Sequence, residues 1–321
     1  MKLLDATTRN ISDAAEMIIA GGLVAFPTET VYGLGADGLN PIAVSKIFEV
    51  KNRPAFNPLI LHVANINQLE SICYLRNTKL ELLISEFWPG PLTLVLPKKD
   101  IVPDIVTAGH NTVAVRMPDH PVALSLISKT AAPIAAPSAN KFGELSPTSA
   151  AHVAKQLNAG VDIILDGGSC KVGVESTILE IKENEIILLR PGGLPIEDIE
   201  DVVGKVSLLT ITNKNPNSPG QLLFHYAPKI PLIFLNDDAD NKLKGKRVGA
   251  LLFKENKYQM EFDTVRFLSE KGDMREAAAN LFSNLHELEN SNIDIIAAEP
   301  IEEKGLGKAI MDRLLKASNK Y

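Results

Sequence analysis

The stretch KNRPAFNPLILHV, Lys51 to Val63, decides how the chain reads. Upstream, Asn40 caps and Pro41 opens a helix that carries Ala43, Val44, Ile47, Phe48 and Val50. Pro54 ends it, because proline lacks an N–H and disfavours helical geometry in the residue before it. Leu59 to Val63 then reads as a buried strand with His62 near its end. Lys51, Arg53 and Asn57 therefore sit on a helix-to-strand turn. Lysine offers a point charge and arginine a planar fork, and both suit a phosphate or carboxylate. Alone, the same residues read equally well as a solvated loop.

Toward the N-terminus, Ser12 is expected to cap a helix over DAAEMIIA that Gly21–Gly22 ends, and Leu23–Phe26 follows as a short strand. The segment PTETVYGLGADG, Pro27 to Gly38, spells G-x-G-x-x-G at Gly33, Gly35 and Gly38. A dinucleotide fingerprint opens a helix directly, whereas the next helix here waits for Asn40, so that reading is rejected. A glycine-rich loop is expected instead, led by Thr28, Glu29, Thr30 and Tyr32. It is either a polar pocket wall or a tight connection.

Toward the C-terminus, a helix near Leu80–Phe87, a turn at Trp88–Pro91 and a strand at Leu92–Leu96 lead to the strand Thr112–Met117. Arg116 at the end of that apolar strand requires an anionic partner, either a protein carboxylate or a ligand carboxylate. A helix near Val122–Ser128 precedes the strand leaving on Pro137, Ser138 and Asn140. Ser138 and Asn140 are candidate phosphate or magnesium ligands, though alone they read sooner as turn residues. Beyond Ser146, a helix opens at Thr148–Ala150, and strands follow at 162–168, 177–181 and 185–190, the last ending on Arg190. Strands separated by helices, with some adjacent strand pairs, give an α/β fold.

Residues 206–230 are proline-rich and read as a linker, with His225–Tyr226 inside it. The pattern then resets. Strands at 231–235, 247–253, 265–269 and 293–300, with helices at Met274–Leu288 and Gly307–Ala317, describe a small doubly wound α/β domain. It shows no catalytic constellation, and GLGKA lacks P-loop spacing. The expected domains are 1–205, a linker at 206–230, and 231–321.

Net charge is −6; residues 1–205 carry 17 Lys+Arg against 23 Asp+Glu, and the remainder 16 against 16. Neither half is basic, so sequence-independent nucleic-acid binding is not the default. Cys73 and Cys170 stand apart in no zinc or disulfide pattern, and no metal-ligating residues are assigned. Without a signal peptide or an apolar run near the ~20 residues of a membrane span, a cytoplasmic location is expected and no membrane contact.

Taken in order, PTETVYGLG, KNRPAFNPL, PSAN and LLRPGG resemble the YrdC family, and SPGQLLFHYAP with the second α/β domain is similar to its long two-domain form. The resemblance spans essentially the whole chain. Its core pattern, Lys-x-Arg followed far downstream by Ser-x-Asn, is met by Lys51, Arg53, Ser138 and Asn140. It implies a twisted, open, mixed-sheet YrdC-like domain followed by a Rossmann-like one. It also implies L-threonylcarbamoyladenylate synthase activity: ATP, L-threonine and bicarbonate give threonylcarbamoyl-AMP and pyrophosphate, and partner proteins transfer the product to tRNA adenosine. Magnesium would accompany ATP, and any tRNA contact would be indirect.

The resemblance makes Lys51 and Arg53 the catalytic cations. They would hold ATP together with Asn57, Thr112, Ser138, Asn140, Ser146, Arg190 and the linker's Tyr226. Thr30, His62, Arg116 and Thr177 would hold threonine. Such a displacement needs positioning and charge neutralisation more than a dedicated base. Two other readings compete. Hydrogenase-maturation carbamoyltransferases share the domain but add zinc-finger and acylphosphatase segments. A non-catalytic module for double-stranded RNA or the ribosome would carry a basic excess in its first domain.

Overall fold

The computed structural model describes residues 1–75, 78–182, 185–209, 225–236 and 239–320. The chain runs β1 (Lys2–Asp5), α1 (Thr8–Ile19), β2 (Val24–Phe26), β3 (Gly33–Asp37), α2 (Pro41–Lys51), β4 (Ile60–His62), α3 (Ile66–Ile72), α4 (Thr78–Phe87), β5 (Leu92–Pro97) and α5 (Asp104–Thr107). It continues through β6 (Thr112–Arg116), α6 (Pro121–Thr130), β7 (Ile134–Ala135), α7 (Ala150–Leu157), β8 (Ile163–Asp166), β9 (Thr177–Ile181), β10 (Ile186–Arg190), α8 (Ile196–Val203) and β11 (Ser207–Leu208). These strands form one mixed sheet in the order β1-β8-β2-β3-β7-β4-β6-β5-β9-β10-β11. A second unit holds β12 (Leu232–Phe234), α9 (Ala239–Leu243), β13 (Val248–Leu252), β14 (Thr264–Phe267), α10 (Met274–Glu289), β15 (Ile295–Ala298) and α11 (Leu306–Ser318), with a parallel sheet β12-β15-β13-β14. The mixed α/β class expected from the sequence holds in both units.

Strand alternation decides where a site can lie. On one face Leu61, Val113, Val115, Leu94, Leu96, Leu179 and Leu188 pack with the apolar sides of α2 to α5, α7 and α8 in the main core. On the other face, α1 and α6 cover only the half built on β2, β7 and β8, through Phe26, Ile134, Ile163 and Leu165. The remaining half carries Ile60, Val95, Ala114, Ile178, Ile187 and Leu189, a small apolar cluster whose members all lie on strands. That floor is the concave face left for a ligand.

Two local expectations are corrected. The first helix begins at Thr8, and Thr7 is its cap, accepting from Asn10 N at 3.2 Å. Ser12 lies inside it and bonds back to Thr8 O at 3.0 Å, as serine does within helices. The expected glycine-rich loop is in part strand β3, antiparallel to β2. Its glycines answer a packing demand: a Cβ at Gly35 would lie 2.7 Å from Phe26 and 2.8 Å from Ile134.

The two units meet closely. Val31, Leu145 and Val174 of the first join Tyr226 and the core of the second in one apolar cluster. At Gly173 a Cβ would fall 2.4 Å from the Ala279 Cα of α10. Most of the linker, residues 210–224, lies outside the described residues. Its last part returns with His225 and Tyr226, both buried.

Candidate active site

A cavity of about 570 Å³, counting its part open to solvent, lies on the concave face. Its walls include Thr30, Arg53, His62, Arg116, Ser138, Arg190 and, from the linker end, His225 and Tyr226.

Three guanidinium groups are fixed by backbone carbonyls. The α2 helix ends at Lys51, Asn52 turns the chain in the left-handed region (φ 52°), and Arg53 folds back onto the turn. Its Nε donates to Asn57 O at 3.1 Å, and its Nη2 to Asn57 Oδ1 at 2.7 Å and Pro58 O at 2.8 Å. Asn57 is thus a brace beneath the cavity rather than part of its wall. Arg116 donates to Gly90 O at 3.1 Å and Thr30 Oγ1 at 2.8 Å, and its Nη2 lies 2.6 Å from Glu29 Oε1. Its protein partner is therefore a carboxylate, Glu29. Arg190 donates through Nε and Nη2 to Ser176 O at 3.2 and 2.8 Å.

Arg190 owes its direction to a bulge. Leu188 pairs with Leu179, but Arg190 pairs with Ile178, so the register shifts between them. Strict alternation would send Arg190 to the core side with Leu188. The extra residue brings it to the face of Ile178, where Leu189 also lies.

Lys51 is 1% exposed and lines no part of the cavity. Its Nζ donates to Ser138 O at 2.6 Å and to Asn140 O, tying the helix end to the loop that presents Ser138. Burial, with Arg53 beside it, holds its pKa well below the ordinary lysine value. Burial likewise brings Arg53 down to about 9, with Tyr226 opposing the shift and Arg190 adding to it. His62 is held at about 3 by burial and by Arg116, and His225 well below its usual value by burial, Arg53 and Lys51. Both imidazoles are therefore neutral near pH 7. Tyr226 stands at φ 62°, rare for an aromatic residue, and burial pushes its phenol up to about 12.

The other expected residues are placed differently. Asn140 donates to Lys141 O and Glu144 O at 2.8 and 2.9 Å, leaving its buried Oδ1 unpartnered among the described residues. Ser146 is buried and donates to Glu175 Oε1 at 2.5 Å. Thr112 shares the face of Ala114 and Arg116 but stands at the start of β6, outside the cavity walls. Thr177 is not brought to the cavity: its neighbour Ile178 takes the concave face, and its hydroxyl donates to Leu194 O at 2.5 Å.

Three residues escaped the sequence reading of the site: Ser176 holds Arg190, Glu175 lines the cavity, and Arg313 reaches Glu175 from the second unit, while Glu29, named there only as part of the glycine-rich loop, pairs with Arg116. Arg313 left one visible trace. It interrupts the apolar stripe Leu306, Ala309, Ile310, Leu314, Ala317 of α11, a costly place for a cation without a partner.

Three buried cations, Arg53, Arg116 and Arg190, thus line the cavity with one buried carboxylate, Glu175, while Lys51, Arg313 and Glu29 are buried outside its walls. Such a cavity favours an anion of several charges, held in low dielectric by groups that need no rearrangement. The thiols of Cys73 and Cys170 are pushed up to about 12 by burial and are inert as nucleophiles.

The family model described as "Telomere recombination" (Sua5/YciO/YrdC) matches residues 16–192, and one described as "Threonylcarbamoyl-AMP synthase, C-terminal domain" matches residues 194–319. The chain is 46% identical to the threonylcarbamoyl-AMP synthase of Pyrococcus abyssi, over 95% of this chain and 93% of that protein. It is 43% identical to that of Bacillus subtilis, over 98% and 94%. The crystal structure of P. abyssi Sua5 complexed with L-threonine superposes with a TM-score of 0.92 at 44% identity, covering 99% of this chain and 98% of that one.

Proposed function

The chain belongs to the Sua5/YciO/YrdC family, in the form that carries the synthase C-terminal domain, and we propose that it makes threonylcarbamoyl-AMP from L-threonine, bicarbonate and ATP, releasing pyrophosphate. The observation that carries this reading is the row of guanidinium groups locked by backbone carbonyls around one cavity. In this reading the enzyme is a nucleotidyltransferase. The threonine amine and carbon dioxide form a carbamate, whose oxygen attacks the α-phosphorus of ATP while pyrophosphate leaves.

Arg53, Arg190 and Ser138 take the phosphates, and the adenine lies toward Ile60, the cavity-wall member of the apolar strand cluster that continues through Ala114, Ile178 and Ile187, with Thr112 at its margin. Thr30, His62 and Arg116 cluster at one end of the cavity and suit the amino acid. Lys51 acts from beneath, as an anchor of the Ser138 loop and a source of positive field. Tyr226 and His225 close the linker side and exclude water. Neutral histidines fit this chemistry, in which positioned charge replaces a general base.

Magnesium enters on the phosphates of ATP and belongs to the substrate. Among the described residues no group of three His, Cys, Asp or Glu side chains could hold a metal ion. The product is an activated acyl group for transfer to tRNA adenosine by other proteins. No helix among the described residues is long and apolar enough to cross a membrane. A duplex-RNA reading needs cations on an open surface, whereas those of the cavity are at most 8% exposed.

The test is ATP-dependent pyrophosphate release with threonine and bicarbonate omitted in turn, and mass spectrometry of the adduct. Release that needs both, with a threonylcarbamoyl-AMP mass, is expected. Release indifferent to threonine would sink the reading.

A further inference from the structure

Among the described residues Arg313 is the largest side chain that is fully buried, and it lies in the second unit, whose sequence carries no catalytic motif. Among the described residues, every polar contact it makes outside its own helix goes to the first unit. Nε donates to Glu175 Oε2 at 2.9 Å and Nη1 to Pro191 O at 2.6 Å; within α11, Nη1 also meets Asp312 Oδ2 at 2.8 Å. Its guanidinium carbon stands 5.2 Å from the centroid of the Tyr226 ring.

These contacts bracket one cavity residue, Arg190. Glu175 precedes Ser176, whose carbonyl and hydroxyl hold Arg190, and Pro191 follows Arg190 directly. Glu175 also lines the cavity, with its other oxygen on Ser146. A bare carboxylate there would oppose any phosphate and would draw on the nearest remaining cation, Arg190. Burial works against the charged form of Glu175, yet Arg313, Arg190 and Ser146 together keep its pKa below the ordinary value, so the charge is present at neutral pH.

Resting on the synthase reading, we infer that Arg313 is a positioning residue by which the second unit sets the nucleotide cavity: it neutralises Glu175 and so leaves Arg190 to the phosphates. Contact with the substrate is not part of this role, since the side chain is sealed from the cavity. The second unit is then an electrostatic part of the site as well as its cover.

The experiment is calorimetric binding of inorganic pyrophosphate and of ATP to the full-length chain, with thermal melts as a fold control. Arg313→Gln should weaken pyrophosphate about tenfold or more, because a buried charge pair has lost one partner. Adding Glu175→Gln should restore affinity to within about threefold of wild type, because the offending charge is gone. Arg313→Lys keeps the charge and should also stay within about threefold. If Arg313→Gln does not fold, the double variant and Arg313→Lys carry the test on the same expectation. Unchanged affinity in folded Arg313→Gln overturns the inference, as does a double variant that stays weak, which is the result a packing role alone would give. A wild-type chain that binds neither pyrophosphate nor ATP refutes the synthase reading, and this inference falls with it. A wild type that binds both while Glu175→Gln fails to rescue refutes the inference alone.

Discussion

Lowering the pH from 7.5 to 5 should destabilise the protein through histidines that the fold keeps neutral. His62 and His286 are each 4% exposed, and burial first, then a cationic or imidazole neighbour, holds each at about 3. For His62 the neighbour is Arg116. His286 of α10 stacks on His152 of α7 with ring centroids 4.0 Å apart, and its Nε2 lies 3.1 Å from Ser146 O across the boundary between the units. Lys155 and Lys229 add positive charge around that pair, and Glu287 faces His152. These folded-state values lie below the unfolded value of 6.5. The stability they contribute is therefore complete above pH 6.5 and is lost as the pH falls toward 3, where the unfolded chain binds protons that the fold refuses.

At pH 5, about 1.5 pH units below the unfolded value, each histidine costs ~2 kcal/mol, so the two together remove ~4 kcal/mol of a typical total of about 5–15. His225 acts in the same direction. Glu175, held below the ordinary carboxylate value, loses its contribution only under about pH 4.5 and so leaves this window clear. The assay is urea unfolding at steps from pH 7.5 to 5, in wild type and in His286→Asn, where the slope should flatten by up to about a third, since His62 and His225 still contribute. Inorganic pyrophosphate should recover part of the loss, since an anion in the cavity favours a charged His62. Stability flat to within ~1 kcal/mol over this range, or the same decline in a His62→Asn/His286→Asn double variant, would refute the reasoning.

Three further outcomes follow from single contacts. Lys51→Met leaves two carbonyls without a donor at roughly 1–3 kcal/mol each, offset by removal of a buried charge, so Tm should fall by only about 5 °C or less while KM for ATP rises about tenfold or more; a normal KM would show the field of Lys51 to be irrelevant. Tyr226→Gly should be more stable than Tyr226→Ala by about 1 kcal/mol, because glycine accepts the left-handed backbone, yet both should raise KM for ATP alike; equal stabilities would deny the strain at φ 62°. Thr177→Val loses its bonds to Leu194 and should cost about 1 kcal/mol with KM for threonine within about twofold, whereas a tenfold rise would place that hydroxyl in the site.

What the sequence made legible is what depends on near neighbours. Asn40 and Pro41 open one helix as read, and its end at Lys51, capped by Asn52 ahead of the expected stop at Pro54, delivers Lys51 and Arg53. His62 and Arg116 were each legible near the end of a strand, and the parallel register of β4 and β6 sets them side by side. The misplacements have a common cause, which is that a side chain's direction can be decided by a partner strand or a distant unit. Alternation along β9 gives the cavity face to Ile178 and so withholds it from Thr177, but only the pairing to β5 and β10 says which parity wins. Along β10 the same rule fails at the bulge, and it fails where a cation is required to turn out of the core. Gly33 and Gly35 read as a loop because a glycine chosen for backbone freedom and one chosen for a neighbour's bulk look identical in one dimension. Arg313 is the sharpest case. Its place in an apolar helical stripe says that a buried anion must exist, while Glu175, 138 residues away, can be named only once the two units are packed together. An unexplained buried charge in a domain with no motif of its own is therefore a pointer to the neighbouring domain, and here it leads directly to Glu175 and Arg190 in the cavity wall.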